Sequence, residues 1–438
     1  MKKFTFAVII YFISNSLSAA PGDTTWVNAY TNDFHNWATV NYASVTFPDT
    51  TQHFEKILMK YTIGCPTAGC DPWDRLGWVR LYTDTATGAG YEIGRIITPY
   101  NIVGGGYPGT CTFWLDVTDY MPLLHDTQIL GHYIESWIGG QRGWLSTISF
   151  AFIEGEAYYK PYKVINLWQD HYIVYGDTAD PFENYLQPIR FFADPNAVKV
   201  KGKVITTGHG QGNSHNAAEF SVKYHQLIVN DDTLSHNLWR SDCSGNPCSP
   251  QGGTWPYARA GWCPGASVNP WDLDITLLVT LGDSNTVNYD IEPYVNLCRP
   301  TNPNCTTGVT CADCNYNNNG HTEPNYNIES QIILYRLNPA IGINDPGTIA
   351  PALFTLQQNY PNPFNPVTRI KFTLQKYSHV TIKVFAGNGT EIAVLINEDM
   401  KNGEYEVEFD GKNLSSGVYF YQMEAGDFKE TRKMLLIK

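Results

Sequence analysis

The segment WVRLYTDTATGAGYEIGRII, residues 78–97, contains the pattern that decides the fold. Two short apolar runs, Trp78–Tyr82 and Tyr91–Ile97, flank a stretch of Thr, Asp, Ala and Gly. Short apolar runs separated by Gly, Asn, Asp and Pro are typical of an antiparallel β-sandwich. The pattern recurs along the chain without helical periodicity, so the sequence predicts an all-β protein.

The runs fall into two groups, which predict a first sandwich over residues 21–160 and a second over residues 161–337. The other runs of the first group are Ala43–Phe47, Ile57–Ile63, Thr112–Val117, Ile129–Trp137 and Leu145–Ile153. Those of the second group are Ile189–Phe192, Val198–Thr206, Glu219–Val229, Leu273–Leu281, Val287–Tyr294 and Ser330–Leu337. An irregular stretch, residues 241–270, interrupts the second group, and loops of this length inside a domain are usually functional.

The N-terminus and the charge indicate an exported protein. Residues 1–20 resemble a signal peptide, because Lys2 and Lys3 precede the apolar run Phe4–Ile13 and small residues follow it. That run is too short to span a membrane, and no other segment has the roughly twenty apolar residues that a span needs. The net charge of −13 argues against nucleic acid and anionic membranes as partners. We therefore expect a neutral or sugar-like ligand.

The ten cysteines are expected to form disulfides, because their number is even and the chain is exported. The sequence leaves open the pairing of Cys111, Cys248, Cys298, Cys305, Cys311 and Cys314. The alternative for the last four is a zinc site, although only one CxxC occurs among them.

The last part of the chain differs in composition from the rest. Residues 338–353 are rich in Pro, Gly and Ala and are expected to form a linker. Residues 354–438 lack Cys and contain six alternating runs, which predicts a separate small β-sandwich. This module could be a binding domain, a spacer or an export signal.

Three segments of this module resemble the type IX secretion sorting domain of the Bacteroidetes: NYPNPFNP (359–366), SSGVYFY (415–421) and TRKMLLIK (431–438). The resemblance implies export by the type IX machinery, to the medium or to the outer-membrane surface, with the module removed or used as an anchor. The alternative, a carbohydrate-binding sandwich, would favour exposed Trp, and the module contains no Trp.

The segment CPTAGCDPWDR, Cys65–Arg75, is the first candidate for chemistry. Its two Cys can close a tight loop, because the residues between them permit a turn. The acids, the Trp and the Arg that follow suit hydrolysis of a sugar-linked bond. The ring stacks on a sugar, an acid moves a proton and the guanidinium holds an oxygen. The alternative is a surface loop with a structural Asp–Arg pair.

Two further acids lie in apolar surroundings. Glu135, in YIESW, is expected in mid-strand on the same face as Tyr133 and Trp137. Glu219, in HNAAEFSVKYH, is expected at the start of a strand. Glu135 could line a sugar cleft, with a solvated Glu as the alternative. Glu219 has room beside it, left by Ala217 and Ala218, and the alternative is a surface Glu on an edge strand.

The loop ARAGWCPG, residues 258–265, is the last candidate. Cys243 is the nearest disulfide partner for its Cys, with Cys248 as the competitor. Three His also lie near Glu219 in the sequence, but their spacing does not match a compact metal site; they are His209, His215 and His225.

All four motifs, in this order, resemble the peptide-N-glycosidase F family. The similarity extends through YEIGRIITPY (91–100) and LDVTDYMPLL (115–124) and covers about residues 43–337. It implies two jelly-roll sandwiches side by side, hence three sandwiches with the C-terminal module. It also implies activity on N-linked glycoproteins without metal or cofactor. We expect a monomer.

Residue by residue, the resemblance implies that Asp74 is the acid that activates water. Glu219 matches the second acid, which shares a water with the first, and Glu135 matches a third acid important for activity. Positions that match the lining of the family's cleft are Arg75, Trp137, Arg259 and Trp262. The matched disulfides are Cys65 with Cys70 and Cys243 with Cys263.

Two departures from the family concern the second acid. The family has two Cys that bridge across this acid, and here those positions are Ala217 and Ser221. The Trp that follows the acid in the family is Phe220 here. The local disulfide is therefore missing around Glu219.

The predicted reaction is hydrolysis of the amide that joins N-acetylglucosamine to asparagine, which leaves aspartate in the peptide. An activated water attacks, and an Arg, either Arg75 or Arg259, stabilises the carbonyl oxygen. The main alternative is a non-catalytic glycan-binding double sandwich. A copper monooxygenase would require clustered His and Met ligands, for which the sequence offers no convincing group.

Overall fold

The structure, a computed structural model, describes residues 22–100, 109–210, 217–296, 323–338, 354–374, 377–386, 390–401, 403–425 and 428–438. The chain divides into two compact units, Met1–Ile343 and Asn344–Lys438. Both units are built from β-sheets, which confirms the predicted all-β fold. The predicted signal peptide and nearly all of the linker lie outside the described residues. Among the described residues, no helix is long and apolar enough to span a membrane.

The first sandwich contains the first eight strands of the chain. They are β1 (Thr24–His35), β2 (Val40–Thr46), β3 (Phe54–Gly64), β4 (Leu76–Asp84), β5 (Ala89–Ile97), β6 (Thr110–Asp116), β7 (Thr127–Ile134) and β8 (Trp144–Glu154). One sheet has the order β1-β8-β3-β6 and the facing sheet contains β5-β4-β7-β2, all paired antiparallel. On β3 the residues Ile57, Met59, Tyr61 and Ile63 alternate with less buried neighbours and form the core.

The second sandwich follows along the chain. Its strands are β9 (Tyr159–Val174), β10 (Ile189–Phe192), β11 (Lys199–His209), β12 (Tyr224–Val229), β13 (Asp232–Asn237), β15 (Trp271–Asp274), β16 (Ser284–Ile291) and β17 (Asn325–Leu337). The short strand β14 (Ala266–Ser267) lies in this part of the chain but in a sheet of the first sandwich. The two sheets have the orders β15-β11-β17-β9 and β10-β16-β12-β13. Short 3-10 helices lie at Thr118–Tyr120, Phe182–Asn184 and Cys243–Gly245.

Strand β14 connects the two sandwiches. It follows the irregular stretch of the second sandwich but pairs with β5 of the first, with Ala266 opposite Ile97. Just before it, the Gly265 N–H lies 3.1 Å from the carbonyl oxygen of Thr98. The loop ARAGWCPG is therefore fixed beside the end of β5.

Charged side chains are buried where the two sandwiches meet. Arg95 and Glu92 form an ion pair at 2.7 Å, and both are fully buried. An Nη atom of Arg95 also donates to the carbonyl oxygen of Asn327, at 2.7 Å, on β17 of the second sandwich. Arg80 pairs with the buried Glu329 at 3.0 Å. Removing one partner of such a buried pair leaves an uncompensated charge, so these contacts hold the two sandwiches in one arrangement.

The second unit is a small sandwich. Its strands are β18 (Phe354–Leu356), β19 (Val367–Leu374), β20 (Ser378–Ala386), β21 (Glu391–Met400), β22 (Gly403–Asp410), β23 (Gly417–Ala425) and β24 (Phe428–Leu436). The sheets have the orders β18-β19-β22 and β21-β20-β23-β24. The last six match the six predicted runs, and β18 is additional.

Three disulfides lie within the described residues. Cys65 pairs with Cys70 and Cys243 with Cys263, with Cα atoms 4.8 and 5.1 Å apart. The third joins Cys111 on β6 to Cys248, with Cα atoms 5.3 Å apart, and so links the first sandwich to the irregular stretch of the second. The predictions for the last four Cys, disulfides or zinc, concern residues outside the described ranges.

The predicted strand Leu273–Leu281 is wrong beyond its first residues, because β15 ends at Asp274. The Asp274 carboxylate accepts the N–H and the hydroxyl of Thr276, at 3.1 and 2.6 Å, and turns the chain. This is the local bonding by which Asp and Thr compete with a β-ladder. The apolar residues that follow pack against the core of the second sandwich from a turn.

Candidate active site

The loop that carries Asp74 joins β3 to β4 and is closed by the Cys65–Cys70 disulfide. Within it, Asp71 is fully buried and accepts hydrogen bonds from Arg75 Nε at 2.9 Å and from the hydroxyl of Ser136 at 2.8 Å. These contacts occupy Asp71 and fix the loop to the end of β7. Asp74 is only half-buried, and these contacts with Arg75 and Ser136 are made by Asp71 and not by Asp74.

Thr98, the residue after β5, holds the backbone on both sides of Asp74. Its hydroxyl donates to the carbonyl oxygen of Trp73 at 3.0 Å and accepts the N–H of Arg75 at 2.7 Å. Its own N–H donates to the carbonyl oxygen of Arg75 at 2.8 Å. Because Thr98 is fully buried, the Asp74 backbone is positioned by a rigid strand rather than by the loop alone.

Glu219 lies in a turn before β12, not at the start of a strand as predicted. The strand begins only at Tyr224. The chain turns at Ala218, whose φ of +72° is incompatible with a strand. Ala217 and Ala218 are fully buried, and the Glu219 carbonyl oxygen accepts the N–H of Ala260 at 2.9 Å. Small residues therefore pack this turn against the loop ARAGWCPG.

The Glu219 carboxylate has two identified partners. One oxygen accepts the N–H of Gly210 at 3.1 Å, and the other lies 3.4 Å from Arg259 Nε. Gly210 has a φ of +104°, and a Cβ there would lie 2.5 Å from the carbonyl oxygen of Glu323. Only glycine therefore allows this N–H to face the acid.

Arg259 is almost completely buried, with 1% of its surface exposed. Its Nη atoms donate to the carbonyl oxygens of Thr254 and Tyr257, at 3.1 and 2.9 Å, and to the Thr254 hydroxyl at 3.0 Å. The rings of Phe220 and Trp262 lie 5.0 and 4.9 Å from its guanidinium carbon. Arg259 is thus held rigidly as a buried positive charge.

Burial raises the pKa of Asp74 to about 6, with the charges of Arg259 and Arg75 opposing the shift. Burial also raises the pKa of Glu219 to about 7, with the nearby Asp74 charge adding to the shift and Arg259 opposing it. The structure thus brings together Asp74, Glu219 and Arg259, from two sandwiches. Two carboxyl groups with pKa values near neutrality can exchange protons with a substrate.

Glu135 lies just beyond the end of β7, not in mid-strand as predicted. Its N–H donates to the carbonyl oxygen of Leu76 at 2.9 Å, which continues the pairing without a regular strand. Burial raises the pKa of Glu135, and the charge of Arg75 opposes that shift. Glu135 therefore lies near the loop that carries Asp74, because it interacts with the charge of Arg75 in that loop.

Exposed aromatic rings surround the acids. Trp73 and Trp137 are 53% and 51% exposed. Trp37, which follows β1, packs edge-on against Trp137 with ring centres 5.5 Å apart. Trp73 lies 6.1 Å from Tyr100. Rings that remain this exposed beside acids suit stacking on sugars.

Trp262 differs from the role predicted for it, since it is 2% exposed and cannot present its face to solvent. Its indole N–H donates to the carbonyl oxygen of Gly208 at 2.7 Å, and its ring packs between His209 and Arg259. The physical reason is that Trp262 packs in a buried apolar cluster with Leu76, Ile97 and Ile205, where the two sandwiches meet. From this cluster its ring contacts Arg259.

The histidines near Glu219 are used in packing. His209 bonds to the Thr207 hydroxyl at 2.9 Å, and His225 bonds to the hydroxyl of Tyr289 at 2.8 Å. His215 lies outside the described residues.

Sequence analysis missed three contributors: Thr98, Gly210 and Trp37. No local signal marks Thr98 or Gly210, because their roles arise from contacts with distant residues. Trp37 could have been suspected, since an isolated Trp among Asn, His and Ala residues lacks the alternation of a core strand.

The fold and the site together define a double β-sandwich protein with paired carboxyl groups beside exposed Trp residues. The family model for "Peptide-N-glycosidase F, C terminal" matches residues 178–316, and that for "Secretion system C-terminal sorting domain" matches residues 358–438. The peptide-N(4)-(N-acetyl-beta-D-glucosaminyl)asparagine amidase F of Elizabethkingia miricola is 30% identical over 265 residues, 57% of this chain and 72% of that protein. The chain therefore belongs to the peptide-N-glycosidase F family and carries a type IX sorting domain.

Solved structures show the same fold. A peptide-N(4)-(N-acetyl-beta-D-glucosaminyl)asparagine amidase superposes with a TM-score of 0.58 at 24% identity, over 72% of this chain and 97% of that one. PNGase F from Flavobacterium meningosepticum superposes with a TM-score of 0.56 at 22% identity, over 72% and 96% of the two chains. These similarities confirm the predicted jelly-roll architecture.

Proposed function

We propose that this protein is a secreted amidase that hydrolyses the bond between N-acetylglucosamine and asparagine in N-linked glycoproteins or glycopeptides. The observation that carries the proposal is the pairing of Asp74 and Glu219 around the buried Arg259, in a chain of the peptide-N-glycosidase F family. The E. miricola relative is described as an amidase acting on this linkage.

In the proposed mechanism, Asp74 is the general base. With a pKa of about 6 it is mostly ionised at neutral pH but still basic enough to take a proton from water. Glu219, with a pKa of about 7, is partly protonated and can hold the same water or donate a proton to the departing glycosylamine. The two pKa values therefore favour complementary protonation states.

The two arginines have different roles in this mechanism. Arg259 is buried and donates to Thr254, Tyr257 and Glu219, so it provides a fixed positive charge beside the two acids. The side chain of Arg75 is 22% exposed and is anchored to Asp71 through Nε. We therefore assign stabilisation of the developing carbonyl oxygen to Arg75, because its remaining donors can reach a substrate. Glu135 balances the charge of Arg75.

The exposed rings of Trp73 and Trp137 provide the sugar-binding surface in this proposal. Trp73 directly precedes Asp74 in the chain, so a sugar ring stacked on Trp73 would place its asparagine linkage near this acid.

The sorting domain supports export by the type IX machinery. We propose a secreted or outer-membrane-surface location, with residues 1–20 as the signal peptide. An extracellular location suits both the disulfides and a substrate that is a glycoprotein.

The test compares the wild type with Asp74→Asn on a purified N-glycopeptide, with mass spectrometry as the readout. The wild type should release the glycan and leave aspartate, while the folded variant should be at least about 100-fold slower. Asp84→Asn, the same change at the exposed last residue of β4, is the matched control and should keep wild-type activity. If the wild type binds the glycopeptide but leaves it intact, the protein is a glycan-binding sandwich and the proposal is wrong.

A further inference from the structure

A second group of polar side chains lies inside the first sandwich, where strands of its two sheets approach each other. Asp33 and His35 are two residues apart on β1, and His132 lies on β7 in the facing sheet. Both imidazoles are fully buried, while the Asp33 side chain is 15% exposed. No part of the proposed mechanism uses these residues.

Three side-chain atoms of this group, one oxygen and two nitrogens, lie within hydrogen-bond distance of one another. Asp33 Oδ2 lies 2.7 Å from His35 Nε2 and 2.7 Å from His132 Nδ1, and the two nitrogens lie 2.9 Å apart. The carboxylate carries no proton, and each facing nitrogen carries at most one. If both nitrogens are protonated, two N–H groups face each other. If one nitrogen is unprotonated, its lone pair faces the carboxylate oxygen, and it also faces the lone pair of the other nitrogen when that nitrogen is unprotonated too. Hydrogen bonds alone therefore cannot satisfy all three contacts.

We propose that Asp33, His35 and His132 bind one divalent transition-metal ion. A cation satisfies the three contacts together, because each atom offers it a lone pair. Two imidazoles and one carboxylate on one face are a ligand set of transition metals, whereas Ca²⁺ and Mg²⁺ prefer oxygen. Neighbouring ligands in an octahedral site with bonds of about 2.1 Å lie about 3.0 Å apart, close to the observed separations.

The surroundings of the ligands agree with this assignment. His132 Nε2 lies 2.7 Å from the hydroxyl of the buried Tyr61, which in turn lies 2.9 Å from the Ser146 hydroxyl. When Nε2 donates its proton to Tyr61, Nδ1 presents a lone pair, which is how an outer oxygen orients a ligating His. Among the described residues, His35 Nδ1 has no hydrogen-bond partner, so the outer contact that orients a ligating His is present for His132 and not for His35.

Asn41 on β2 provides a further polar group. Its amide lies 2.8 Å from Asp33 Oδ1 and 3.5 Å from His35 Nε2. The amide therefore donates to the Asp33 carboxylate and orients it, as outer partners of metal ligands do. The partial exposure of Asp33 gives the ion a route from solvent.

The ion would lie in the first sandwich at the base of two segments that lead to the proposed active site. His35 ends β1, and the segment after it carries Trp37, which packs on Trp137. His132 precedes Glu135 by three residues. A metal that joins β1 to β7 would therefore hold the bases of both segments and act as a structural ion.

The test uses the full chain, treated with chelator, dialysed and then titrated with Zn²⁺ and separately with Co²⁺. We expect one ion bound per chain and a thermal midpoint raised by about 5 °C at a metal concentration about 100-fold above Kd. Asp33→Asn should weaken binding at least about tenfold, whereas His53→Gln, a change at an exposed His, should not. The Co²⁺ complex should lack a sulfur-to-metal charge-transfer band, which separates this site from one built on cysteines.

A second variant keeps the test decisive if Asp33→Asn folds poorly. Asn41→Asp adds a carboxylate beside Asp33, so it should lower the thermal midpoint in chelator but increase the rise caused by Zn²⁺. A cluster held only by hydrogen bonds would show the loss without the metal-dependent rise. Failure of the wild type to bind either ion, or binding unchanged by Asp33→Asn, would overturn the proposal. Neither result bears on glycan release, which is measured separately.

Discussion

The loop that carries Asp74 and the turn that carries Glu219 meet in one site but are held in different ways. The Asp74 loop has a disulfide, the buried Asp71 and the Thr98 hydroxyl, all within the first sandwich. The Glu219 turn has no disulfide, and it is held by buried alanines, the Gly210 N–H and the ion pair with Arg259.

The two acids are thus held in place by different kinds of contact. Half-buried acids must keep their geometry against the cost of burial, which favours movement towards water. Around Asp74 the restraint includes a covalent bond, the Cys65–Cys70 disulfide, in addition to the ion pair of Asp71 with Arg75. Around Glu219 it depends on contacts with Arg259, so we expect the Glu219 turn to respond more strongly to changes in charge and packing.

The largest expected effect is on activity. Asp74→Asn and Glu219→Gln should each lower kcat/KM by about 10²–10⁴-fold, because each removes a proton-transfer group. The comparison is sharpened by Arg259→Gln, which should lower activity and destabilise the turn, while the Asp74 loop stays intact. Glycan release assays and circular dichroism at several temperatures would check both parts. Equal and small losses for the two acids would contradict the account.

A smaller effect is expected at Thr98. Thr98→Val keeps the shape but removes the hydroxyl that bonds to both neighbours of Asp74, so kcat should fall about 10–100-fold, with KM changing less, as geometry at the acid is lost. Thr98→Ser keeps the hydroxyl and should retain most of the activity. A valine variant as active as the serine variant would show that the disulfide alone positions Asp74.

Much of the fold and both acids of the candidate site could be predicted from the sequence. The remaining features depend on contacts between residues far apart in the chain. Alternation of apolar residues predicted most strands, and motif similarity pointed to both acids. The turn at Glu219 was missed because the positive φ of Ala218 leaves no signal in an apolar run. Thr98, Gly210 and the burial of Trp262 were missed because their contacts, with Arg75, Glu219 and Gly208 respectively, join residues far apart in the chain.

The raised pKa values predict that stability depends on pH. Since burial raises the pKa of Asp74 from 3.8 to about 6, the folded state binds more protons than the unfolded state between about pH 4 and 7. Stability from this group is therefore greatest at low pH and is lost as the pH rises through 6. Asp74→Asn should be more stable than the wild type by about 1–3 kcal/mol at pH 8, with the difference vanishing near pH 4. Urea unfolding at both pH values would measure this, and a constant difference would contradict it.

The smallest expected effect comes from adding a disulfide to the Glu219 turn. Ala217→Cys combined with Ser221→Cys restores the family's local bridge and should stabilise the protein by about 1–2 kcal/mol under oxidising conditions. The matched change, Cys65→Ser with Cys70→Ser, should destabilise it by about 2 kcal/mol. Thermal unfolding with and without reductant would compare the two. Loss of activity in the bridged variant would show that the turn must move.

The most direct test of the central claim is glycopeptide hydrolysis in water labelled with oxygen-18. An amidase of the proposed kind releases a peptide that contains aspartate with the label in its side-chain carboxyl group, and Asp74→Asn abolishes this product. A peptide that keeps its asparagine, or that keeps one N-acetylglucosamine on it, would contradict the account.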